Sequence, residues 1–83
     1  MRNMKAVTYT KTAIKALRKI PAKDRDAIMD KVKAYAETGI GDVKALQGSD
    51  MYRLRHGDWR AIFTQDGKVL NVLNVAKRGE VYR

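Results

Sequence analysis

Apolar residues change their spacing along this chain, and the changes mark out its elements. In "MKAVTYT" (4–10), Val7 and Tyr9 alternate with polar neighbours, the period of a short strand with one buried face. "TKTAIKALRKIP" (10–21) moves to helical spacing, with Ile14, Leu17 and Ile20 recurring beside Ala13 and Ala16. Thr10 stands where an N-cap is needed, and Pro21 ends the helix. From Ala22 to Thr38 a second helix places Ile28, Val32 and Tyr35 at i, i+4 and i+7, and Gly39 supplies its stop. Helices joined this closely predict an antiparallel helical hairpin.

"GIGDVKALQGSD" (39–50) follows as a connector that Val43 and Leu46 pin to the core. The remainder alternates again: "MYRLRH", "WRAIFT" and "KVLNVLNVA" are separated by turns containing "GD" and "DG", short-range hairpin signals. The third of these is apolar on both faces, as a covered central strand would be, and that is where a simple pairing register is expected to fail. The order β-α-α-β-β-β predicts one α+β domain over residues 1–83, a helical hairpin packed on an antiparallel sheet.

Placing Gly57 and Asp58 in the turn pairs His56 with Trp59, Arg55 with Arg60, Leu54 with Ala61, Arg53 with Ile62 and Tyr52 with Phe63. Opposed residues share a side of the sheet, and alternation carries that side along each strand. Tyr52, Leu54, Trp59, Ala61 and Phe63 therefore form the surface that the helices cover. Arg53, Arg55 and Arg60 gather on the other side. Two arginines directly opposed repel unless something anionic lies between them, although a solvated face can also be basic.

Charge extends that picture. The 83 residues carry 18 Lys+Arg against 9 Asp+Glu, a net charge of +9, and both halves are basic. Polyanions are thus the leading partner class, nucleic acid first. With no cysteine and one histidine there is no disulfide framework, no thiolate chemistry and no His/Cys metal site to assemble. No stretch has the length of a membrane span, and "MRNMKAVTYTK" lacks the apolar core of a signal peptide, so a cytoplasmic protein without cofactor is expected. His56 and Trp59 read as core-side residues at the hairpin tip. At the end of the chain, "KRGEVYR" adds Lys77, Arg78 and Arg83 around Tyr82.

Two helices after a first strand, then "YRLRHGDWRAIFTQDGKVLNVLNVAKRGEVYR", resemble the RelE/ParE family of toxins from bacterial type II toxin–antitoxin systems. The resemblance spans nearly the whole chain and is most specific in "YRLRHGDWRAIF" and "KRGEVYR". It implies the RelE-like fold and, in the RelE branch, metal-independent cleavage of mRNA on the ribosome. It implies catalytic roles for Arg60, Arg78 and Tyr82 and RNA contacts for Arg53, Arg55, Lys77 and Arg83. It also implies a cognate antitoxin, through which the pair would reach operator DNA. RelE has lysines where this chain has Arg53 and Arg55, and arginine does not give up its proton, so neither can act as a base. Tyr82 lies one residue from the last and is expected to be ordered only with substrate or ribosome present. Two alternatives stand beside this reading: a ParE-like inhibitor of DNA gyrase without nuclease activity, and an inactive RNA-binding relative.

Overall fold

The computed structural model describes residues 4–78. Strand β1 (Ala6–Tyr9) leads into helices α1 (Lys11–Arg18) and α2 (Ala22–Thr38). Four strands follow: β2 (Val43–Ala45), β3 (Tyr52–His56), β4 (Trp59–Gln65) and β5 (Val69–Lys77). Both helices lie on one face of a five-stranded sheet ordered β1-β5-β4-β3-β2, so the α+β architecture stands.

Local chemistry explains the helix ends. Thr10 is extended, and its Oγ1 accepts from Ala13 N at 3.1 Å, satisfying one of the free N–H groups of the first turn of α1. Pro21 fixes the entry to α2, whose other end is closed by Gly39 at φ +77°, with Gly39 N donating to Tyr35 O at 2.8 Å. That left-handed conformation is open to glycine without a Cβ penalty.

The buried stripe of α1 is Ala13, Leu17 and Ile20, and that of α2 is Ile28, Val32 and Ala36. Ile14, expected in the first stripe, is 41% exposed. It sits one residue, about 100° of helix, round from Ala13, and the close approach of α1 to β5 selects the small side chain. Beneath the helices, Leu54, Ala61, Phe63, Leu70, Val72 and Val75 complete the core. Phe63 is fully buried, stacked on Tyr52 at 5.5 Å and tilted against Tyr35 at 5.7 Å.

The structure departs from the expected architecture in three ways. The sheet is mixed, because β1 runs parallel to β5, with Ala6 opposite Val69 and Tyr9 opposite Val72. A parallel pair needs a long crossover, which the two helices and three intervening strands provide. The connector contains β2, paired antiparallel with β3 through Val43–Leu54, Lys44–Arg53 and Ala45–Tyr52. Three residues are too few to show a period, so only pairing reveals this strand. Finally, the register fails inside β5 as anticipated. Phe63 opposes Val72 while Ile62 opposes Asn74, leaving Leu73 as the extra residue of a bulge. The bulge converts the uneven spacing Leu70, Val72, Val75 into a single helix-facing row.

Candidate phosphate-binding face

The β3–β4 hairpin pairs as the turn implies: Arg55 opposite Arg60, Arg53 opposite Ile62, and His56 opposite Trp59. Gly57 takes φ +57° at the first turn position, where glycine suits a tight hairpin. Arg53, Arg55 and Arg60 consequently stand on the face away from the helices. Lys44, opposite Arg53 on β2, joins them. Sequence reasoning missed Lys44 because it lies in a segment with no strand period of its own.

The three guanidiniums are held differently. Arg60 Nη1 donates to Gly57 O at 3.0 Å and to Trp59 O at 3.2 Å, while Arg55 Nε reaches the same Gly57 carbonyl at 3.4 Å. One backbone dipole thus steadies two like charges. Neither has a carboxylate partner among the described residues. Arg53 is paired: its Nη1 meets Asp42 Oδ1 at 3.2 Å and Asp42 O at 3.4 Å, and its side chain is only 12% exposed. Asp42, another residue the sequence did not single out, is placed by its own carbonyl, which accepts from Arg55 N at 3.0 Å.

An arginine has five N–H donors in a fixed plane. Arg60 spends Nη1 and keeps its Nε–Nη2 edge; Arg55 spends Nε and keeps both terminal nitrogens; Arg53 spends Nη1 on Asp42. Each retains donors that can engage phosphate oxygens, so the face can take a bidentate anion without dismantling its own contacts.

Other expected residues are distributed less simply. Arg78 is exposed, and its N–H donates to Asp58 O at 2.6 Å, which ties the start of the C-terminal segment to the hairpin turn beside the arginines. Lys77 is not in the cluster. It opposes Trp59, so it lies on the helix side, its Nζ 5.5 Å from the centre of the Trp59 ring. Tyr82 and Arg83 lie outside the described residues. His56 is on the core side, as its register implies: Nε2 meets Asp24 Oδ1 at 3.4 Å, and Nδ1 is buried without a partner among the described residues. The contact joins the hairpin tip to the first turn of α2.

Residues 7–82 match the family described as the ParE toxin of the type II toxin–antitoxin system parDE. No curated protein matches. Among solved structures, the chain is similar to the toxin–antitoxin complex RelBE2 from Mycobacterium tuberculosis, with 21% identity, a TM-score of 0.79 and coverage of 93% of this chain and 94% of that one. The archaeal RelE–RelB complex from Pyrococcus horikoshii gives 26% identity and a TM-score of 0.78, covering 94% and 99%. The intact E. coli RelBE complex gives 24% and 0.73, covering 92% and 99%.

Proposed function

The chain belongs to the ParE family of toxins from type II toxin–antitoxin systems, and from that premise we propose that it is a metal-independent endoribonuclease that cleaves mRNA on the ribosome and is neutralised by an acidic cognate antitoxin. The observation that carries the proposal is the opposed Arg55–Arg60 pair, steadied on one carbonyl, lacking an acidic partner among the described residues and retaining open donor edges.

Cleavage of RNA without metal proceeds by attack of a ribose 2′-oxygen on the adjacent phosphorus. A pentacoordinate phosphorane forms, its P–O5′ bond breaks as water protonates the leaving oxygen, and the products are a 2′,3′-cyclic phosphate and a 5′-hydroxyl. The phosphorane carries more negative charge than the ground state, so permanently charged, planar donors favour it. Arg55 and Arg60 form that clamp, and Arg53 joins it through the donors that Asp42 leaves open. Arg78, anchored beside the turn, stands near the leaving 5′-oxygen. None of these can remove the 2′-proton. Tyr82 takes that role, its phenolic oxygen being the proton acceptor that the arginines lack. Lys77 and Arg83 add contacts to the flanking RNA, with Lys77 reached from the helix side. Through the antitoxin, the pair would bind operator DNA.

A second reading follows from the family description, which names parDE. In it the arginine face meets an acidic surface of DNA gyrase and no bond is cut. Induction in cells with mapping of mRNA 5′ ends, beside a supercoiling assay, decides between the two. New ends within codons that vanish in Tyr82→Phe and Arg78→Ala support the nuclease. Intact mRNA with blocked supercoiling refutes it.

A further inference from the structure

The arginine face continues across the sheet onto β5, where two cross-strand rows lie side by side. Arg55 opposes Arg60, and Arg60 opposes Ala76; two residues along, Arg53 opposes Ile62, and Ile62 opposes Asn74. The bulge at Leu73 is what brings Asn74 into that second row. Opposed residues share a side of the sheet, and rows two residues apart are separated by roughly 7 Å. Asn74 thus stands one row from the Arg55–Arg60 pair. The pair's own row ends on β5 in the single methyl group of Ala76, which leaves a niche between the Arg60 guanidinium and the Asn74 amide.

That amide has only one orientation. Val75 N donates to Asn74 Oδ1 at 2.8 Å. A backbone N–H can only donate, so the atom it meets is the carbonyl oxygen, and the NH2 group is turned away from the main chain. Among the described residues nothing accepts from Nδ2. Asn74 is half-buried and borders the groove of about 380 Å³ beside α1, so solvent reaches it. Asn71, farther along the same side of β5, is not fixed in this way: its Oδ1 lies 2.8 Å from Thr8 Oγ1, and a hydroxyl can donate or accept.

Every polar side chain in the two rows is therefore a donor. Guanidiniums cannot accept, the Asn74 oxygen is taken by the main chain, and the Asp42 carboxylate beside them is engaged by Arg53. A nucleobase next to a phosphate held by Arg55 and Arg60 meets these donors with its ring edge. Carbonyl oxygens match them, whereas an exocyclic amine sets donor against donor and loses its water without gaining a partner. An asparagine that reads adenine uses both its oxygen and its nitrogen, and here the oxygen is occupied.

We propose that Asn74 selects the base beside the phosphate bound by Arg55 and Arg60, its Nδ2 favouring bases that present a carbonyl oxygen, uracil and guanine, over cytosine and adenine. The proposal rests on the reading of the arginine face as an RNA phosphate site and names the specificity of that site; it does not require that the RNA be cut.

The test compares short 2′-O-methyl oligouridylate and oligocytidylate, which cannot be cleaved and differ in whether a carbonyl or an amine stands at the pyrimidine edge. Each labelled oligonucleotide is titrated with full-length protein at one fixed salt concentration and followed by fluorescence anisotropy. Oligouridylate should bind about fivefold more tightly, what one net hydrogen bond is worth. Asn74→Asp keeps an oxygen on Val75 N but turns a second oxygen outward, so the order should reverse; its added charge weakens both ligands alike and cancels in the ratio. Asn74→Ala should abolish the preference, and a retained circular dichroism spectrum would confirm that each variant is folded. A parent that binds the two equally, or an Asn74→Asp protein that keeps the parental ratio, overturns the proposal and leaves the phosphate face standing. Binding of neither oligonucleotide overturns both. A parent that selects uridine through Asn74 yet cuts no mRNA retains the proposal and loses the nuclease reading.

Discussion

Replacing Arg60 by alanine separates the phosphate clamp from the fold. The side chain is half-buried and, among the described residues, bonds only to the carbonyls of Gly57 and Trp59 at the hairpin tip, where water can replace it. Its removal also relieves the repulsion with Arg55, worth about 0.2–1 kcal/mol for directly opposed charges. Stability should therefore stay within about 0.5 kcal/mol of the parent. Affinity for RNA should change much more. A hydrogen bond to a charged group is worth about 1.5–3 kcal/mol, which converts to about a 10- to 150-fold loss of affinity for a short single-stranded RNA. Loss of one phosphate contact should also flatten the slope of log K against log salt by roughly 0.7. Arg60→Lys restores the charge but not the planar fork, so it should recover the slope and only part of the affinity. Fluorescence anisotropy at several salt concentrations, with urea denaturation of each variant, measures all of these quantities. A folded Arg60→Ala protein with parental affinity and slope would refute the clamp.

Three smaller perturbations probe the surroundings. Asp42→Asn removes the carboxylate that occupies Arg53; RNA binding should tighten severalfold in the anisotropy assay, and weaker binding would mean that Asp42 orients Arg53 productively. Thr10→Ala deletes both the cap on Ala13 N and the donor to Leu73 O; it should cost about 1–2 kcal/mol in urea denaturation, with Thr10→Ser nearly neutral. Asp66 accepts from Lys68 N at 2.7 Å and Val69 N at 2.8 Å, and these bonds hold its carboxyl below the ordinary value. A folded-state pKa below the unfolded one stabilises above the unfolded value of about 3.9, and that contribution fades as pH falls through the folded value. Asp66→Ala should thus be less stable than the parent near neutrality, with the gap closing below about pH 4; a gap that persists unchanged in acid would exclude the linkage.

Much of this molecule was legible from residue spacing. The bounds of α2, the cap at Thr10 and the pairing of Arg55 with Arg60 follow from short-range rules, because helical period, capping chemistry and a two-residue turn act over a few residues. The arginine face was readable for the same reason: once the turn is fixed, alternation assigns every side chain of the hairpin to a side. By contrast, whether Ala13 or Ile14 turns inward depended on how closely α1 approaches β5. The pairing that makes a strand of Val43–Ala45 brings Lys44 and Asp42 to the arginines from a segment whose own sequence has no strand signal.

Lys77 shows the limit most directly. It sits one residue before Arg78 in a basic run, but the register of β5 sends it to the opposite side of the sheet, onto Trp59. A one-residue step reverses the face, and the bulge at Leu73 sets which residues fall on which side. Local sequence thus determined the elements, the turn and the charge of the hairpin, since each depends on neighbours in the chain. Tertiary structure alone decided the parallel placement of β1 and the company each cation keeps, because those are settled by segments distant in sequence packing against one core.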